Sequence, residues 1–216
     1  MTQVCEPASD VDVQSRVLQI LASLEEAGAT PIANRDLHAI AYLANVLSPM
    51  WDIEPIEGSV LKSKDGPRST LFEAQLDRCV FQGLAVVTSL EDDPESPARI
   101  SASYRLAAER ARPLLDVINS FPDEQIVRAF LNELAFAFAQ ISPEFWDDTA
   151  LADASWTDPS IADQRVVDFA EFVSGNRIPS HNVVNAFQSY APAGVVYSRV
   201  EKLAMYLRLL KRRAHA

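Results

Sequence analysis

Six side chains between residues 62 and 82 are of the type that reads a DNA groove. Lys62, Lys64, Arg68, Gln75, Arg78 and Gln82 are cations and amides long enough to reach base edges or phosphates. A run of carboxylates, Glu91-Asp92-Asp93-Pro94-Glu95, follows soon after and would be repelled by a polyanion. Further along, Glu144, Asp147, Asp148, Asp153 and Asp158 stand among Phe145, Trp146 and Trp156. Clustered carboxylates suit magnesium or calcium, and large aromatics anchor protein interfaces. The C-terminus carries Arg199, Lys202, Arg208, Lys211, Arg212 and Arg213, which suit phosphate, an acidic partner, or simply the negative end of a helix.

Catalytic chemistry finds no comparable grouping. His38, His181 and His215 are far apart in the sequence, and His38 is expected at the surface or its boundary. There is no GxSxG, GxxxxGK(S/T), GxGxxG or HExxH motif, and no DxDxDG calcium loop. The expectation is a non-enzyme with no catalytic, cofactor or metal residues. Cys5 and Cys79 form no CxxC pair, which suits a reducing compartment. The formal charge of -11 repels free nucleic acid on average. The acidic, polar start MTQVCEPASDVD is unlike a signal peptide, and no apolar run approaches the roughly 20 residues that span a bilayer. A cytoplasmic chain without membrane contact is expected.

The elements that must position these residues are mostly helices. With 48% hydrophobic residues, 216 residues can bury a substantial core. Residues 1–12 read as a flexible tail. Val13, Val17, Ile20, Leu21 and Leu24 make a helical stripe that ends at Gly28. Asn34 is placed to cap a second helix carrying Leu37, Ile40, Ala41, Ala44 and Leu47 inward. Ser59-Val60-Leu61 suits a short first strand. Thr70 and Glu73 have capping-box spacing, with Ser69 a rival cap, for a helix whose face is Phe72, Leu76, Cys79 and Val80 and which stops at Gly83. LAVVTSL and RISASYRL then read as two strands with the acidic loop between them. Helix, helix, short strand, helix, strand, strand is the order of a winged helix-turn-helix with a small β-wing. A wing that probes DNA normally carries cations at its tip, so Glu91, Asp92 and Asp93, with Trp146 and Trp156, are the expected partner-binding residues. The cations and amides from Lys62 to Gln82 are the alternative, DNA-binding set.

The remainder reads as a helical domain. Residues 106–119 are expected to be helical with Pro113 as a kink or new start. Pro122-Asp123-Glu124 opens the strongest helix, carrying Ile126, Val127, Phe130, Leu131, Leu134, Phe138 and Ile141. Pro159 to Val173, a short helix capped by Ser180, and a final helix with Val196, Val200, Leu203, Leu207 and Leu210 complete it. The expected fold is mainly α, with a winged-helix domain at 13–120 and a helical domain at 121–216.

The segments LHAIAYLANVLSP and DGPRSTLFEAQLDRCVFQGLAVV resemble the small middle subunit of bacterial ABC-three-component systems, including the Lamassu type of anti-phage defence. That resemblance covers about the first half of the chain. It implies a non-enzymatic adaptor that docks on an SMC/Rad50-like ATPase and brings it an effector subunit. If DNA is a partner at all, the expectation places it within that assembly. It carries over no catalytic residue. The alternative expectation is a winged-helix transcriptional regulator that dimerises through its C-terminal helices.

Overall fold

The computed structural model describes residues 9–63, 66–92, 100–159, 161, 165–169 and 179–214. It is mainly helical with two small sheets. Helix α1 (Asp10–Glu26) starts earlier than the tail expectation allowed. Ser9 and Asp12 form a reciprocal capping box, with Asp12 N–H donating to Ser9 Oγ at 3.3 Å and Ser9 N–H to Asp12 Oδ2 at 3.1 Å. Aspartate thus does the work usually given to glutamate in that box. Strand β1 (Ile32–Ala33) and helix α2 (Asn34–Leu47) follow. Asn34 is not the cap. It sits inside the helix, and its amide donates to Glu73 at 3.0 Å.

Strands β2 (Ser59–Ser63) and β3 (Gly66–Arg68) lead to helix α3 (Thr70–Phe81). Of the two rival caps, Ser69 is used: its Oγ accepts from Phe72 N–H at 3.0 Å. Gly83 takes the left-handed conformation at φ 72°, and Leu84 N–H closes back on the Cys79 carbonyl at 2.8 Å. Strands β4 (Ala85–Asp92) and β5 (Ile100–Leu106) come next. Helix α4 (Ala108–Ile118) is unbroken at Pro113, so no new helix starts there, and α5 (Pro122–Ala139) opens on its proline as expected. Helix α6 (Trp146–Leu151), strand β6 (Val166–Asp168), α7 (Pro179–Ala186) and α8 (Arg199–Ala214) complete the described chain. The helix expected over 159–173 is replaced at Val166–Asp168 by a strand, whose buried Val167 between two exposed residues has a period of two. Much of that helix lies outside the described residues.

Two antiparallel three-stranded sheets result. In the first, order β1-β5-β4, Ile32 pairs with Tyr104, Ala85 with Leu106 and Asp92 with Ile100. Its short first strand is Ile32–Ala33, so Ser59-Val60-Leu61 does not belong to it. Those residues form the second sheet, order β3-β2-β6, where Leu61 pairs with Arg68 on one side and Val166 on the other.

That second sheet pairs residues on either side of the soft boundary expected near residue 120. Helix α1 packs along α5, where Arg16 forms an ion pair with Glu124 and Ser23 Oγ donates to Asn132 at 2.6 Å. The Trp51 ring lies 5.0 Å from Phe130. One contiguous core therefore runs from Val13 to Leu210. Phe130, Leu131, Leu134 and Phe138 of α5 are buried in it, each contributing about 1.5–3 kcal/mol by leaving water. Among the described residues no helix is long and apolar enough to cross a membrane.

Candidate interaction surface

The β4–β5 pair carries an apolar face that outruns the core beneath it. On β5, Ile100, Ala102, Tyr104 and Leu106 share one face, and Tyr104 and Leu106 are buried at its inner end. Their partners are Ala85 and Val87 near the body and Leu90 and Asp92 further out. A bulge between Val87 and Ser89 makes this possible. Without the extra residue, alternation would turn Leu90 to the opposite face. Leu90 is left 67% exposed and Ile100 71% exposed. Glu91 and Asp92 beside them are also exposed, while Asp93 lies outside the described residues.

Helix α3 presents an equally mixed surface. Ala74, Asp77, Arg78, Phe81 and Gln82 face outward, and Phe81 is 92% exposed. Burial raises the Tyr104 phenol, and the carboxylates of Asp77 and Glu73 raise it further, so both acids act on the inner end of the β4–β5 face. The combined surface is apolar, with Glu91 and Asp92 on the wing and Asp77 beside Arg78 on α3.

The DNA-reading set is scattered by the fold. Lys62 is buried in β2, where its Nζ donates to the Ile161 carbonyl at 2.9 Å and lies 6.0 Å from the Trp156 ring centre. Gln75 is buried too, because Phe72, Gln75, Leu76 and Cys79 share one helical stripe. Neither can reach a base. Lys64 lies outside the described residues. Arg68 is half-buried on β3, and Gln82 is engaged by Gln14 Nε2 at 2.5 Å. Arg78 alone of the six is exposed without a hydrogen-bond or ion-pair partner among the described residues.

The two tryptophans expected at an interface point inward. Trp146 stacks on Phe138 at 5.1 Å and donates its Nε1 hydrogen to the Ile141 carbonyl at 3.0 Å. Trp156 meets Tyr42 edge-on at 5.3 Å. Both are buried in the chain's own core, which corrects their assignment to a partner-binding surface.

Near Trp156 lies a buried polar centre that sequence reasoning missed. Asp153 is fully buried. Its carboxylate accepts from Tyr42 Oη at 2.8 Å, Tyr206 Oη at 2.5 Å and Ser180 Oγ at 2.8 Å. The Ser155 and Trp156 amides donate at 2.8 and 3.3 Å. Burial raises both phenols well above their ordinary range, and the Asp153 charge adds to the effect. The centre ties α2, the turn after α6, α7 and α8 together. Among the described residues no group of three metal-ligating side chains occurs.

Glu57, Asp36 and Glu73 are the carboxylates shifted furthest from their ordinary values. Burial pushes Glu57 up to about 7, opposed by the Ser69 hydroxyl that donates to it. Burial also raises Asp36 to about 7, with the nearby Asp147 charge contributing. Glu73 falls to about 2, chiefly through His38, with Asn34 and Arg68 assisting. His38 is buried instead of lying at the surface, and its Nε2 is 3.4 Å from Glu73 Oε2 without hydrogen-bond alignment. The side chain of His181 and all of His215 lie outside the described residues. Compared with known proteins, the chain matches no family model, no curated protein and no solved structure.

Proposed function

We propose that residues 10–106 are a winged helix-turn-helix and that the chain is a non-enzymatic adaptor or regulatory subunit of a bacterial multi-protein complex. The order α1, β1, α2, α3, β4, β5, with β2 and β3 interposed between α2 and α3, and the sheet β1-β5-β4 support the first part, with β4 and β5 as the wing. The exposed pair Leu90 and Ile100 beside Glu91 and Asp92 carries the second. Aliphatic side chains are left in water on a face that continues the core, next to carboxylates that phosphate repels. Such a surface fits a protein with apolar anchors and cations. The resemblance to ABC-three-component subunits makes an SMC-like ATPase the partner of choice, within anti-phage defence.

The test is co-expression with the neighbouring genes of the source genome, followed by identification of what elutes by mass. An SMC-like ATPase in stoichiometric amount, released by Leu90→Lys with Ile100→Lys, is the expected result. A chain that elutes alone, or a complex indifferent to those substitutions, overturns the reading. Arg78, exposed on α3, favours one other reading, a DNA-binding regulator. That reading requires a duplex shift by the purified chain that weakens steeply with salt and is lost in Arg68→Glu with Arg78→Glu.

A further inference from the structure

The second charged and apolar surface lies on α8, away from the wing. Two shallow clefts flank Arg208. One, about 140 Å³, lies between α5 and α8 with Ala137, Ile141, Ala204 and Leu207 as its apolar floor and Arg208 and Lys211 on its rim. The other, about 310 Å³, is floored by Phe187, Met205 and Leu209 and rimmed by Arg208 and Arg212. None of these three cations has a hydrogen-bond or ion-pair partner among the described residues. The chain's formal charge is -11, so this patch is opposite in sign to the body that carries it.

We infer that the wing of one copy of this chain docks in the α8 clefts of a second copy. The two surfaces are complements in both respects. The wing offers two exposed aliphatic side chains, Leu90 and Ile100, with the carboxylate of Asp92 on the same face and that of Glu91 on the opposite one. Helix α8 offers two apolar clefts separated by a cation, with further cations on their rims. Within one copy the two surfaces pack on different neighbours, the wing chiefly on α1, α2, α3 and β1 and α8 chiefly on α5, α6 and α7. A wing-to-wing pair would set like charges together, which costs energy. The resulting contact is head-to-tail, and each added copy leaves one wing and one cleft open. At about 0.15 M salt the screening length is about 8 Å, so net repulsion between acidic bodies fades while contacts a few ångströms long persist. The inference needs only the purified chain and does not rest on the adaptor reading. It does imply that self-association and partner docking compete for one wing.

The experiment is mass measurement by light scattering across a concentration series at that salt. The wild-type mass is expected to climb with concentration and pass twice the monomer mass. Leu90→Lys with Asp92→Lys blocks the wing and leaves the clefts; Arg208→Glu with Lys211→Glu blocks the clefts and leaves the wing. Each variant alone should stay monomeric with an unchanged melting temperature, because all four positions are exposed or half-buried. An equal mixture of the two should reach twice the monomer mass and stop, since only one productive contact can form. A wild-type chain that remains monomeric, a mass that halts at a dimer indifferent to both variants, or a mixture that stays monomeric each overturns the inference. A monomer that still co-elutes with an ATPase would overturn it while leaving the adaptor reading intact.

Discussion

The two sheets have the same number of strands and opposite roles. The β1-β5-β4 sheet comes mostly from neighbouring strands, and its outer half stands clear of the core with Leu90 and Ile100 in solvent. The β3-β2-β6 sheet joins strands about 100 residues apart, buries Val60 and Val167, and takes even the Lys62 side chain inside. One sheet presents; the other fastens. A sheet that fastens buries one face and satisfies the polar side chain it takes in, as Lys62 is satisfied, although Leu61 and Val166 stay 44% and 52% exposed on its other face. Leu90 and Ile100, at 67% and 71%, are left more open than either, on a face that continues the core.

The sharpest way to break this contrast is to remove a fastener. Asp153→Ala strands the hydroxyls of Tyr42, Tyr206 and Ser180 in the interior. The expected loss is about 3–5 kcal/mol, since a buried charged acceptor is deleted and its donors are left unpaired. Denaturant unfolding measures it, and because one core joins both halves the transition should stay single. A loss below about 1 kcal/mol would mean that the centre is not what holds α2 to α8.

The next effect concerns Glu57, buried beside Ser69 at the start of α3. Its carboxyl ionises at about 7 in the fold, against an ordinary value near 4.5. The folded chain therefore binds the proton more tightly than the unfolded chain between those values. Stability falls as pH rises from about 4.5 to 7 and levels off above. Glu57→Gln should remove that part of the decline and stabilise the chain at pH 8 by on the order of 2 kcal/mol. Asp36 acts in the same direction, so a smaller slope should remain. Glu73 works oppositely: its depressed carboxyl supports the fold above its ordinary value and loses that support as pH falls towards 2. A pH series of unfolding curves in which Glu57→Gln and wild type run parallel would refute the assignment.

Sequence and structure agree where a signal is local. The α1, α3 and α5 stripes are legible because a 3.6-residue period needs no knowledge of the partner, although Ile126, expected on the α5 stripe, is 49% exposed. The same period places Gln75 inside, and polarity alone misleads there. Ser59-Val60-Leu61 is legible as a strand but not as a member of its sheet, since β6 lies far along the chain and spans only Val166–Asp168. The tryptophans illustrate a different limit. A large amphipathic ring suits an interface and a core equally, and only Phe138 and Tyr42 decide which. Asp153 shows as a carboxylate in the sequence, but its tyrosines come from positions 42 and 206. Of the candidate surface, Glu91 and Asp92 were legible from charge. Leu90 and Ile100 were not, because their exposure depends on the bulge between Val87 and Ser89 and on where the body ends.

The smallest stability effect is the most telling about the wing. The same substitution can be made in both sheets. Val60→Lys places an ammonium where the side chain is 4% exposed, and a buried unpaired charge of that kind costs several kcal/mol. Leu90→Lys replaces a side chain already 67% in water, so its cost should stay within about 0.5 kcal/mol. If Leu90→Lys destabilises as strongly as Val60→Lys, the outer half of β4 is part of the core and offers no surface. If it leaves the melting temperature unmoved but abolishes association, the exposed leucine is held in solvent for a contact, because nothing in the folding of this chain requires it there.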